Sequence, residues 1–232
     1  MYNNKLFYIV NNENNISNIV NMSNSELESI FGNRFAKMKD FSQNNPHHCY
    51  DLLNHSVKCC LNLDISQIRE EKINYARIAC LYHDIGKLET KAINPKTGFD
   101  CFYGHAYAGV PIAREFFTKI NLPKADISYM LFLIGNHDIF MNYKLEDEMT
   151  SSKYDVCINK NNIMNLIHNV KTKEKDIYNC ELTIEDFKEL CQVALADVKS
   201  QSEKTFINNR LVITKEIKVK RLESILEIIN SL

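Results

Sequence analysis

Four histidines and two aspartates carry the strongest chemical signal in this chain, because of where they fall on apolar stripes. His55 continues a stripe of Leu52, Cys59, Cys60 and Leu63, and His83 ends one of Ala76, Ala79 and Cys80. His105 heads a stripe through Ala108, Gly109, Ile112 and Phe116, while His137 extends Met130, Leu133 and Ile134. Asp197 extends Leu190, Val193 and Ala194. At helical spacing all five share the core face of their segments. One histidine on an apolar face is ordinary core filler, but burying five ionisable groups is unfavourable unless they pair or bind a metal. Asp84, next to His83, is a further candidate; neighbours can both ligate only where a helix is ending, and Gly86 offers an end there. Imidazole nitrogens mixed with carboxylate oxygens suit Zn, Fe, Mn, Co or Ni rather than Ca or a thiolate cluster.

The elements that must hold these groups are helical almost throughout. Residues 1–22 read as a short strand or extended piece, from the burst Leu6-Phe7-Tyr8-Ile9-Val10, followed by an Asn-rich turn region. Ser23-Asn24-Ser25-Glu26 has the spacing of a capping box and opens a helix to about Phe31, which Gly32 closes. Asn44-Asn45-Pro46 breaks the chain, and helices are expected near 47–62, 66–83, 105–120, 124–140, 183–201 and 208–230. Asn94-Pro95-Lys96-Thr97-Gly98 marks a loop or hairpin tip, and the polar stretch 142–182 holds one helix around Asn161–Val170. The last helix is basic in its first half, at Lys215, Lys218, Lys220 and Arg221, which reads as a solvated face or a contact surface. The expected division is an N-terminal extension over 1–43 and one all-α domain over 44–232.

The chain has 232 residues, 45% hydrophobic and 25% charged, with a formal net charge of −1. That excludes wholesale disorder and leaves no electrostatic footprint for wrapping long nucleic acid. The 28 asparagines are spread along the whole chain, as a compositional bias would be. The eight cysteines contain no Cys-x-x-Cys pair, several lie on apolar stripes, and no secretory leader or membrane-length apolar run is visible. They read as reduced core thiols of a cytoplasmic protein. Gly-x-Ser-x-Gly, Gly-x-Gly-x-x-Gly and phosphate-loop patterns are absent.

The ordered set His55, then His83-Asp84, then Asp197 resembles the H…HD…D pattern of the HD-domain metal-dependent phosphohydrolases. The doublet sits in Leu81-Tyr82-His83-Asp84-Ile85-Gly86-Lys87, and Pro46-His47-His48-Cys49-Tyr50-Asp51 precedes His55. Phe102-Tyr103-Gly104-His105-Ala106, Gly135-Asn136-His137-Asp138 and Ala194-Leu195-Ala196-Asp197 extend the match over roughly 44–201. This wider pattern is similar to the HD domain of bacterial tRNA nucleotidyltransferases and their poly(A) polymerase relatives. The resemblance implies an all-helical bundle around a central metal site, with His55, His83, Asp84 and Asp197 as ligands. His105 and His137 match the extra histidines of members holding two metals, with Asp84 then bridging; in one-metal members such histidines contact phosphate. The 43 residues before Asn44 are too few for a polymerase-type domain and lack its Gly-Ser…Asp-x-Asp signature, so nucleotide addition is not expected to carry over.

The chemistry that follows is hydrolysis of a phosphate ester by metal-bound hydroxide, in a phosphomonoesterase or a phosphodiesterase. The expected partner is a nucleotide or another small phosphate compound, with one or two ions of Fe, Mn, Ni, Co, Zn or Mg; neither a membrane nor long nucleic acid is expected. Asp84, His105 and His137 are the expected catalytic groups along with Lys87, which either neutralises substrate phosphate or is a solvated lysine at a helix end. Asp138 either orients His137 or caps a helix at the surface. His47 and His48 line the entrance or simply start a helix, and Lys96, Tyr103 and Lys199 are candidate substrate contacts. The competing reading is a nucleotide-binding regulatory module that keeps the fold without turnover.

Overall fold

The apolar burst near the N-terminus winds into a helix, not the expected strand. Helix α1 (Tyr2–Val10) is followed by α2 (Glu13–Ser17) and a 3₁₀ turn over Asn18–Asn21. Leu6, Ile9 and Val10 lie three and four residues apart on one helical face, and all three are buried, so tertiary packing selects the helix. The structure is a computed structural model and describes residues 2–46, 48–173, 175–178, 181–202, 204–207 and 210–232. The expected capping box is present: α3 (Asn24–Phe31) has the Ser23 amide on Glu26 and the Glu26 amide on Ser23, and Gly32 ends it at φ +90°. After α4 (Asn33–Ala36) comes a turn over 37–40, and α5 (Leu52–Asn62) begins later than the sequence pattern suggests, capped by the Asp51 carboxylate on the Asn54 amide at 2.7 Å.

The expected helix over 66–83 is shorter, α6 (Ile73–Tyr82), with two 3₁₀ turns before it. The reason is Arg69, whose backbone amide donates to Glu189 at 2.8 Å and whose guanidinium reaches both Glu189 and Asp186, pulling the chain out of a helical path. A short α7 (Lys87–Thr90) leads into the expected hairpin, β1 (Ala92–Ile93) antiparallel to β2 (Asp100–Cys101). Then come α8 (His105–Lys119) and α9 (Lys124–Asn136), the latter ending four residues early in a tight turn. Strands β3 (Tyr143–Lys144) and β4 (Val156–Cys157) pair in parallel before α10 (Lys160–Lys173), α11 (Lys175–Tyr178) and α12 (Ile184–Ser200).

The helix expected over 208–230 is also corrected. Strands β5 (Lys204–Ile207) and β6 (Arg210–Ile213) form an antiparallel hairpin, and α13 (Lys215–Asn230) starts only after it. The runs Thr205-Phe206-Ile207 and Leu211-Val212-Ile213 are rich in β-branched and aromatic residues, which favour strands. Helices α5, α6, α9 and α12 pack on one another, with α8 against α9 and α13 against α12, giving an all-α bundle. The N-terminal helices join the same core: the Arg77 guanidinium donates to the Val10 carbonyl, and the Tyr82 hydroxyl donates to the Phe31 carbonyl. Among the described residues no helix is long and apolar enough to cross a membrane. Among the described residues seven cysteines are free thiols; burial pushes Cys59 and Cys60 well above the ordinary range and Cys191 up to about 12.

Candidate metal centre

The helices converge where the polar residues interrupt their apolar stripes. His55 comes from the first turns of α5 and Asp197 from the last turn of α12. His83 and His137 are the residues immediately after α6 and α9, and His105 opens α8. Past His83 the bonds from Ile85 to Tyr82 and from Lys87 to Asp84 span three residues, a tight turn that brings the adjacent His83 and Asp84 to the same centre. Gly86 is not the left-handed cap the sequence suggested: its φ is −68°. Its bare backbone instead lies against the start of α8, where an added Cβ would meet Gly109 N at 2.5 Å.

The six side chains form one connected cluster. Asp84 Oδ2 lies 3.2 Å from both His55 Nε2 and His83 Nε2, while Asp84 Oδ1 lies 3.0 Å from His105 Nε2 and 3.6 Å from His137 Nε2. Asp197 Oδ1 is 3.0 Å from His55 Nε2 and 3.6 Å from His83 Nε2. Two sets have the spacing to hold a metal ion, His55/His83/Asp197 and His83/Asp84/His137. His105 Nε2 stands 3.1 Å from His137 Nε2, adjoining the second set.

The far nitrogen of every imidazole is tied down. Nδ1 of His83, His105 and His137 each contacts the carbonyl three residues back, at Cys80, Phe102 and Ile134, over 2.7, 2.9 and 2.8 Å. A carbonyl only accepts, so these Nδ1 atoms carry the proton. Ser200 donates its hydroxyl proton to the Asp197 carbonyl at 2.6 Å and therefore accepts from His55 Nδ1 at 3.0 Å. With Nδ1 so committed, all four rings turn Nε2 toward the two carboxylates. His55 Nε2, His83 Nε2 and Asp197 Oδ1 are accordingly buried without any hydrogen-bond partner. Two carboxylates and four Nε2 atoms crowded together at this depth favour positive charge between them. Burial opposes ionisation, yet Asp84 and Asp197 hold His83 well above the ordinary histidine range; His83 and Lys87, with His105 and His137, hold the Asp84 carboxyl well below its ordinary range, and His55 and His83 do the same for Asp197. The two carboxylates thus draw positive charge toward the centre, the place a divalent cation would take. These residues fit a divalent cation.

Lys87 is not solvated. It is 4% exposed, and its ammonium donates to Asp84 Oδ2 at 2.6 Å and to Gln43 Oε1 at 2.9 Å, with His48 Nε2 at 3.4 Å. Burial, then Lys87 and His55, push the His48 pKa down to about 2, so its ring is neutral. It stands edge-on to His55 at 4.9 Å, while His47 lies outside the described residues. Asp138 does not orient His137, because Ile134 occupies that nitrogen. Lys96, Tyr103 and Lys199 are exposed, and no contact joins them to the cluster. Sequence reasoning missed Gln43, Ser200 and Gln201. Ser200 had a visible signal, its place one helical turn after Asp197; Gln43 had none.

This geometry is accompanied by a family match: the HD domain model covers residues 47–197, and the chain belongs to that family. Among curated proteins, a 90-residue stretch is 32% identical to the A-adding tRNA nucleotidyltransferase of Deinococcus radiodurans, covering 39% of this chain and 20% of that protein. A 62-residue stretch is 37% identical to the CC-adding tRNA nucleotidyltransferase of Thermus thermophilus, covering 27% of this chain and 14% of that one. The chain thus spans a fifth or less of the length of either relative.

Proposed function

We propose that the protein is a metal-dependent phosphohydrolase that acts on a nucleotide or another small phosphate ester. The observation that carries this reading is the convergence of four imidazoles on two carboxylates, Asp84 buried and Asp197 half-buried. His55, His83, Asp84 and Asp197 would hold one divalent ion, and Asp84, His105 and His137 a second. A bound divalent ion supplies Lewis acidity toward a phosphoryl oxygen and a nucleophile drawn from water at neutral pH. The chain's own groups do the remainder. Lys87 fixes the Asp84 carboxylate and balances its charge, Ser200 fixes the His55 ring, and the apolar helices exclude bulk water from the ligands. His105 and Asp197 are the ligands nearest solvent, each with 14% of its side chain exposed, so a phosphate enters between them. The free thiols support a reducing, cytoplasmic setting.

Metal analysis of the purified protein beside a His83→Ala/Asp84→Ala double variant tests the centre. Wild type is expected to retain Mn, Fe, Co, Ni or Zn that the variant lacks; equal metal in the two refutes the reading. A panel of phosphomonoesters, cyclic nucleotides and dinucleoside polyphosphates, each with Mn, Co, Ni, Fe or Mg, then assigns the bond. Metal retention without turnover on any substrate would favour a regulatory module over an enzyme.

A further inference from the structure

The basic start of α13, beyond the family match, is connected to the metal centre. Lys218 donates to Gln201 Oε1 at 2.7 Å, and Gln201 Nε2 donates to Asp197 Oδ2 at 3.2 Å. Lys218 is therefore two hydrogen bonds from the ligand that, with His105, forms the open side of the cluster. One turn further along the same helix, Arg221 bonds Glu148 Oε2 at 2.7 Å, and that oxygen also accepts the Leu145 amide. This brings Lys144, the neighbour of Leu145, to the same corner. Lys144 is half-buried, and its side chain makes no hydrogen bond or ion pair among the described residues. The nearby acids are engaged elsewhere: Glu148 by Arg221, and Asp155 by the Thr150 amide and hydroxyl. Burial and the Arg221 charge push the Lys144 pKa down, with Asp155 and Glu148 partly opposing them; burial does the same to Lys218, with Asp197 pulling it back and Arg221 and Lys144 adding to the fall. A lysine side chain with no hydrogen-bond or ion-pair partner, next to a second lysine linked through Gln201 to Asp197, has the chemistry of a phosphate subsite.

We propose that Lys218 and Lys144 bind a second phosphate group of the substrate, so that the natural substrate carries at least two phosphates. The class is a nucleoside polyphosphate or a dinucleotide, with the scissile phosphate at the His/Asp cluster and the next one over α13. This deepens the phosphohydrolase reading and rests on it.

The test is calorimetric binding of inorganic phosphate and of tripolyphosphate to the full chain, each in excess Mn²⁺, with Mn²⁺ affinity measured alongside. Wild type is expected to bind tripolyphosphate at least about tenfold more tightly than phosphate, and Lys218→Met and Lys144→Met each to remove about tenfold of that affinity. Lys220→Met, an exposed charge on the same helix, should change it by less than about twofold. Lys144→Met touches no ligand and guards against a mere folding defect. The proposal is overturned if tripolyphosphate shows no advantage, or if both lysine variants bind it like wild type. It is also overturned if Lys218→Met weakens Mn²⁺ alone, which would make Lys218 only a support for Asp197. Metal-dependent phosphate binding in any of those cases leaves the phosphohydrolase reading standing, whereas wild type binding neither metal nor phosphate removes both.

Discussion

Replacing Gly86 by alanine sets two effects of opposite sign against each other. At φ −68° alanine is conformationally allowed, so by chain entropy alone the substitution would stabilise by about 0.4–1 kcal/mol. The added Cβ, however, would stand 2.5 Å from Gly109 N and closer still to the His105 carbonyl oxygen, where ordinary contact begins at 3.4 Å. Both atoms are backbone, so no side chain can rotate away and α8 must retreat by about 1 Å. Overpacking of this kind costs about 1–3 kcal/mol, and the rigidity of the contact puts it at the upper end. The net is a loss of about 2 kcal/mol, a fall in Tm of roughly 4–8 °C for a chain of this size. Because α8 carries His105, the same retreat widens the 3.0 Å approach of its Nε2 to Asp84. The His105/His137 half should then lose its ion while the His55/His83/Asp197 half keeps one. Urea melts and metal stoichiometry read both effects. A variant more stable than wild type, with full metal content, would show that the close approach is not a constraint.

Ser200→Ala leaves the buried His55 Nδ1 proton without an acceptor and should weaken metal binding about 10–100-fold, while Ser200→Thr, which keeps the hydroxyl, should stay near wild type. Lys87→Met strips the donor from Asp84 Oδ2, so the metal-free protein should lose about 3 kcal/mol. Mn²⁺ should then raise its Tm by more than it raises that of wild type; equal shifts would refute the charge-balancing role. Glu148→Gln breaks the pair with Arg221, which holds the Glu148 carboxyl below its ordinary pKa despite burial. A depressed carboxyl stabilises above its unfolded pKa and loses that contribution as pH falls. The variant should be less stable by up to about 1 kcal/mol at pH 7, with the gap closing below about pH 4. A gap that persists in acid would count against it.

The candidate cluster was legible because each imidazole or carboxylate interrupts an apolar stripe at helical period, and His55, His83, Asp84, His105, His137 and Asp197 do meet. The all-α class followed from the same periodicity. What was hidden depends on contacts distant in sequence. Arg69 reads as a surface charge inside a helical pattern until Glu189, 120 residues away, takes its backbone amide. The burst at Leu6–Val10 fits strand or helix equally well until its one buried face is known. Lys87 split evenly between a solvated residue and a site residue because its partner Gln43 lies in a stretch with no motif.

The supports of the candidate site are distributed unevenly along the chain. The family match ends at Asp197, and it begins after Gln43. Yet Gln43 holds the lysine that fixes Asp84, Ser200 fixes His55, and Gln201 carries Lys218 to the Asp197 carboxylate. Each metal-facing group that reaches outside the matched region is therefore adjusted by a residue from a flank. A shared bundle can then keep its ions while the flanks alter the charge and shape at the mouth. Exchanging α13 for a helix without Lys218 should accordingly leave metal affinity within reach of wild type and change which phosphates bind. Loss of metal on that exchange, with Gln201 intact, would place α13 inside the ligand support instead.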